Sequence, residues 1–148
     1  SSYRNALRTI MIVIDASIAI KLIFAEEASN IVEKLFTLHV KKKEEIIVPS
    51  FLFIEAANAL ATKTRFTKKE ISKGLRFLYS FHLTLHEVSE NEIIEASILA
   101  KQCETSVYDM LYAVIAKTKK IKLITADDKF VKKVGRPFVQ SLTQFSTE

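Results

Sequence analysis

Five consecutive apolar residues, Ile10-Met11-Ile12-Val13-Ile14, constrain the fold of this chain more than any other stretch. The run is rich in β-branched side chains and lacks the alternation of a half-wet strand, which is the mark of a strand covered on both faces. Asp15 ends it. Helix-like and strand-like segments then alternate. Helices are expected over Ile18–Phe24 and Ala28–Val40, followed by a short strand over Glu45–Val48. Pro49 and Ser50 open a helix from about Phe51 to Thr64, proline being tolerated at or just before a helix start. Thr67 with Glu70, and Ser89 with Glu92, have capping-box spacing and predict helices running to about Tyr79 and Cys103. A strand over Leu83–Val88 lies between them. Thr105 or Ser106 opens a helix over Val107–Lys119, and Lys122–Thr125 reads as a strand. Asp127 or Asp128 caps a short helix that stops at Gly135, before a last strand over Phe138–Leu142. This alternation predicts an α/β domain with a mostly parallel sheet, whose ligands bind beyond the C-terminal ends of the strands.

With 148 residues there is room for one domain, expected over residues 11–148 behind a leader over residues 1–10, with Met11 a candidate natural start. Only two glycines occur, Gly74 and Gly135. Neither GxGxxG nor GxxxxGK can be written, so phosphate cannot be handled by a dinucleotide fingerprint or a Walker loop. Side chains or metal ions must do that work instead. The single Cys103 excludes an intrachain disulfide and a thiolate zinc cluster, and reads as a small helix residue. No apolar run approaches the roughly 20 residues needed to cross a bilayer. No clear signal-peptide cleavage site appears either, so a cytoplasmic protein is expected. The net charge of +5 and a pI near 9.3 make a polyanion a sensible partner.

Three acidic residues stand out from their surroundings. Asp15 is the only charged residue from Ile10 to Ile20, Glu55 the only one between Ile46 and Lys63, and Asp109 the only one from Val107 to Ala116. A buried carboxylate without a partner costs several kcal/mol, so each needs a compensating charge or a proton. Each also has a plainer role open to it. Asp15 suits a helix cap. Glu55, Asn58 and Thr62 form a polar stripe that can simply face water. Asp109 suits the first turn of a helix, interacting with its dipole and with Ser106. Asp127, at the end of the second predicted parallel strand, is a fourth acid at the same sheet edge, and a helix cap is open to it too. Four carboxylates gathered together repel unless a divalent cation joins them, and hard Mg²⁺ or Mn²⁺ suits an all-oxygen ligand set.

The order of motifs is Asp15-Ala16-Ser17 after a hydrophobic strand, then FIEAANAL (Phe53–Leu60), YDMLYAVIA (Tyr108–Ala116) and LITAD (Leu123–Asp127). It closely resembles the PIN-domain ribonucleases and, by size, the VapC toxins of prokaryotic toxin–antitoxin pairs, over essentially Met11–Leu142. The resemblance implies a three-layer fold with a parallel sheet of about five strands between helices. It implies an acidic pocket that binds Mg²⁺ or Mn²⁺ and cleaves RNA, an antitoxin protein as partner, and a homodimer. Carried over by position, Asp15 and Asp109 are the principal metal ligands, with Glu55 and Asp127 as supporting acids. Ser17, Asn58 and Thr125 match small polar positions that orient the carboxylates.

Metal-assisted phosphodiester hydrolysis needs no histidine base. This agrees with His39, His82 and His86, whose positions fit structural or surface roles. Basic runs at Lys41–Lys43, Lys117–Lys122, and Lys129, Lys132, Lys133 and Arg136 offer cations for an RNA backbone, with Lys129, Lys132 and Lys133 next to the Asp127 segment; solvated helix faces are the plainer reading of the same lysines. A catalytically inert PIN-like module that binds RNA or a protein is the alternative. A phosphotransfer protein is disfavoured: a haloacid-dehalogenase-like phosphatase wants a second acid two residues beyond its aspartate, and Ser17 stands there. A receiver domain fits no better, because it wants a paired acid before its first strand ends.

Overall fold

The computed structural model describes residues 10–24 and 29–146. Apart from Ile10, the segment read as a leader lies outside them, as does Ala28. In chain order the elements are β1 (Ile10–Ile14), α1 (Ala16–Phe24), α2 (Ser29–Val40), β2 (Glu44–Pro49), α3 (Phe51–Lys63), α4 (Lys68–Tyr79) and β3 (Thr84–His86). They continue with α5 (Glu90–Cys103), α6 (Val107–Lys119), β4 (Lys122–Thr125), α7 (Asp128–Val134), β5 (Val139–Ser141) and α8 (Leu142–Ser146). The five strands form one sheet in the order β3-β2-β1-β4-β5, and every neighbouring pair is parallel.

The central position of β1 explains its composition. Val13 pairs with Ile47 of β2 on one side and Leu123 of β4 on the other. Ile12, Val13 and Ile14 are buried, while Ile10 and Met11 protrude at the N-terminal end of the strand. Double coverage therefore applies to the last three residues of the run. Burying each such side chain contributes roughly 1.5–3 kcal/mol against the entropy of ordering the chain.

Chain direction across the sheet reverses once. β1 to β2 to β3 steps one way; β4 and β5 lie on the other side of β1. Right-handed crossovers then put α1–α4 on one face and the α5–α7 half on the other. Helix α6 packs on β1 and β4 and against α5. Its residues Met110 to Ala116 are all buried, as an apolar-all-round helix must be. Its first turn, with Tyr108 and Asp109, emerges at one end, and Lys117–Lys119 are exposed at the other.

Local signals set most helix boundaries. Thr67 and Ser89 each accept the N–H of the residue three further on, and Glu70 and Glu92 return their carboxylates to the cap N–H groups. Gly135 stops α7 at φ 60°, a left-handed conformation that glycine adopts without a Cβ penalty. Gly74 has a different reason: a Cβ there would stand 2.8 Å from Ile23 Cγ2, so its absence lets α4 lie against α1. Three details depart from the expected elements. Helix α1 starts at Ala16, the β3 strand is three residues long, and the final strand stops at Ser141 before α8.

Candidate active site at the C-terminal edge of the sheet

The reversal of chain direction falls between β1 and β4, and a crevice forms outside the C-terminal ends of such strands. Asp15 leaves β1 at this point and Thr125 ends β4 beside it. Asp15 Oδ1 accepts the Ser17 N–H at 3.1 Å, the Ile18 N–H at 3.4 Å and the Ser17 hydroxyl. The Thr125 hydroxyl donates to Oδ2. Those two hydroxyls are themselves fixed, because Ser17 Oγ accepts the Ala126 N–H at 2.9 Å and Thr125 Oγ1 accepts the Asp127 N–H at 3.1 Å. Asp15 thus caps α1 and is clamped at once from the first turn of α1 and from the end of β4. Burial pushes its carboxyl up to about 6, against the pull of the Ser17, Thr125 and Ile18 hydrogen bonds; the like charge of Asp109 adds to the push.

Glu55 enters from the second turn of α3, half-buried. The Tyr112 hydroxyl of α6 donates to its Oε1 at 2.5 Å. Burial raises the Glu55 carboxyl, the Tyr112 bond opposes this, Asp109 raises it further and Lys63 draws it back. Tyr112 itself is buried, and its phenol is held protonated by burial and by the Glu55, Asp15 and Asp109 charges. These mutual influences bring Asp15, Glu55 and Asp109 into one electrostatic group. None of the three is in an ion pair among the described residues.

Asp109 occupies the same position of its helix as Glu70 and Glu92 do in theirs, and its N–H donates to Ser106 Oγ at 3.0 Å. The reciprocal half of the box is missing. A shorter side chain leaves the Asp109 carboxylate exposed and uncommitted beside the other acids. Asp127 behaves differently. It is exposed, its Oδ1 caps α7 through the Phe130 N–H at 3.0 Å, and it does not figure among the charges acting on Asp15 or Glu55. Asn58 is exposed on α3 and bonds none of the carboxylates. Lys129 and Lys132 are exposed on α7, and Lys133 donates to the Glu104 carbonyl at the end of α5, 2.9 Å away.

Sequence reasoning missed Tyr112 as a participant. Its signal was present, since Tyr112 follows Asp109 by one helical turn in an otherwise apolar helix, and a buried phenol needs a partner. The histidines stay clear of the acids. His39 bridges the Ile46 N–H and the His82 carbonyl, and His86 pairs with buried Glu92 at 2.8 Å.

The donor set is all oxygen: both Asp109 oxygens, one each of Glu55 and Asp127, and the remaining lone pairs of Asp15. Among the described residues no group of three or more His, Cys, Asp or Glu side chains stands ready-formed to hold a metal ion. Mg²⁺ does not require one, since it usually takes one or two carboxylates together with waters and substrate phosphate. A divalent cation fits these residues, because it supplies the positive charge that the acid group lacks.

The PIN domain family model matches residues 12–136, and the chain belongs to that family. No curated protein sequence matches it. Among solved structures it is similar to PAE2754 from Pyrobaculum aerophilum, with TM-score 0.67 and 19% identity over 94% of this chain and 97% of that one. VapBC2 from Rickettsia felis, solved bound to a DNA fragment from its promoter, gives TM-score 0.68 and 17% identity over 89% and 98%. VapC20 of Mycobacterium tuberculosis, a sarcin–ricin loop cleaving toxin, gives 0.60 and 14% over 82% and 94%. The fold is therefore the PIN fold, five parallel strands between helices. No described helix is long and apolar enough to cross a membrane.

Proposed function

We propose that this chain is a metal-dependent endoribonuclease of the VapC type, a toxin held silent by an antitoxin protein. The observation that carries the reading is the Asp15–Glu55–Asp109 group: three carboxylates from three elements, mutually repelling, with no ion pair, at the switch point of a PIN fold. A bound Mg²⁺ or Mn²⁺ would acidify a water and stabilise charge on the phosphate and the leaving oxygen. Asp15 and Asp109 are its principal ligands in this reading, and Glu55 and Asp127 act beside them.

The chain's own groups have separable tasks. Ser17 and Thr125 orient Asp15 through both carboxylate oxygens. Tyr112 fixes one oxygen of Glu55 and leaves the other without a hydrogen-bond partner among the described residues. Lys129 and Lys132 present cations for the RNA backbone, while Lys133 is partly engaged with the α5 carboxyl end. A homodimer is part of the proposal, and exposed Phe77 and Tyr79 on α4 are apolar surface that a second copy would cover.

Purified protein incubated with RNA should cleave in Mn²⁺ or Mg²⁺. Cleavage should stop with EDTA and fall at least 100-fold in Asp15→Asn and Asp109→Asn, beyond the roughly 10–100-fold that losing an outer-shell partner of a metal typically costs. Cleavage surviving all three would refute the reading. No metal binding by calorimetry at millimolar Mg²⁺ or Mn²⁺ would support the inert RNA- or protein-binding module instead.

A further inference from the structure

Tyr108 is 60% exposed, directly before Asp109 in the first turn of α6. An exposed aromatic ring beside a polar site presents a flat π-face on which a nucleic-acid base can stack. Its surroundings are ordered. The Tyr108 ring meets Phe51 edge to face at 5.7 Å, and Phe51 meets Tyr112 in the same manner at 5.1 Å. Tyr112 in turn holds Glu55. Three rings therefore run from the carboxylates outwards, and the outermost has a face with no ring against it. Phe51 supports one side of the Tyr108 ring.

We propose that Tyr108 is a stacking platform for an unpaired base adjacent to the phosphate held by the acids. The inference rests on the ribonuclease reading and narrows its substrate to RNA that is single-stranded at the cleavage point. Every base presents a π-face, so the platform is tolerant of sequence. A base inside a duplex cannot reach it without unstacking. Tyr108 makes no bond to the carboxylates, so it positions substrate rather than reacting.

The test uses the full chain and a short single-stranded oligoribonucleotide carrying 2-aminopurine, whose fluorescence responds to stacking. Binding is measured in the Asp15→Asn background to prevent turnover, and KM and kcat in the wild-type background. Tyr108→Ala and Tyr108→Leu should each raise KM and Kd about 5- to 150-fold, abolish the fluorescence change on binding and leave kcat within about twofold. Tyr108→Phe should restore the fluorescence change and the KM. Leucine keeps an apolar body against Phe51 but has no π-face. If Tyr108→Leu behaves like Tyr108→Phe, the residue merely packs, and the proposal is overturned. It is equally overturned if Tyr108→Ala binds as wild type, if duplex RNA competes as well as single strand, or if the wild-type chain gives no fluorescence change. Failure of the ribonuclease reading has a different signature: cleavage absent in Mn²⁺, or surviving Asp15→Asn, while the Tyr108 variants still lose RNA binding.

Discussion

Asp15→Asn should stabilise the metal-free protein while removing its activity. In the unfolded chain the Asp15 carboxyl has its ordinary value near 3.8; in the fold, burial raises it to about 6. A carboxyl raised in the folded state favours its neutral form there. The protein is therefore free of this penalty below pH 4, loses stability as pH rises from about 4 to 6, and bears the whole loss above that. At about 1.4 kcal/mol per pH unit the full penalty is about 3 kcal/mol. Asparagine keeps an oxygen for the Ser17 and Ile18 donors, and its amide can donate to Thr125 once that hydroxyl turns to accept. Water reaching the partly buried carboxylate reduces the gain, so about 1–3 kcal/mol is expected at pH 7.5, or a Tm increase of about 2–12 °C for a domain of this size. Urea denaturation of both proteins in EDTA at pH 4.5, 6 and 7.5 measures it. The gap should be smallest at the lowest pH and widen as pH rises. A variant less stable than wild type at pH 7.5, or a gap independent of pH, would refute the account of Asp15 as an unpaired buried charge. Adding millimolar Mn²⁺ should then raise the wild-type Tm more than the variant's, because the variant lacks one of the two principal ligands for the cation.

The acid limb of kcat/KM should lie near pH 6 at low metal concentration and move to lower pH as Mg²⁺ is raised, since the cation favours the ionised carboxylates; a limb that ignores metal concentration would contradict this. Tyr112→Phe removes the hydroxyl that opposes the upward push on Glu55, so it should lower stability by about 1–3 kcal/mol and reduce activity most at the acid end of the profile. Gly135→Ala places a Cβ at φ 60° and should lower stability by about 1–2 kcal/mol in denaturant titration, with kcat preserved because α7 keeps its Asp127 cap.

Elements with local signals were legible before any coordinates. Thr67 with Glu70 and Ser89 with Glu92 announce their helices because the bonds that start them lie within four residues. The hidden features are those in which distant parts of the chain meet. The Thr125 clamp on Asp15 and the Tyr112 bond to Glu55 join residues 110 and 57 positions apart, and no spacing rule reaches that far. The length of β3 was overread because Leu83 to Val88 alternates, yet only Thr84–His86 has a neighbouring strand to pair with. Helix α8 did have a local signal that was passed over: Ser141 and Gln144 have capping-box spacing, and each side chain accepts the other's N–H. Asp15 illustrates why its two readings could not be separated from sequence: it satisfies both, as cap of α1 and as the buried acid at the crevice. For Asp127 the capping role accounts for one oxygen, and the group it was expected to join is defined without it.

The placement of β4 beside β1 also has a consequence in time. Asp15 is synthesised early, whereas the hydroxyl that clamps it arrives 110 residues later. At ribosomal rates of about 5–20 residues per second, that interval is roughly 5–20 s. During it, β1 waits with one hydrogen-bonding edge bare and one oxygen of its acid unheld. A chain still on the ribosome, close to abundant RNA, cannot yet assemble this crevice, and a truncated product ending before residue 122 never will.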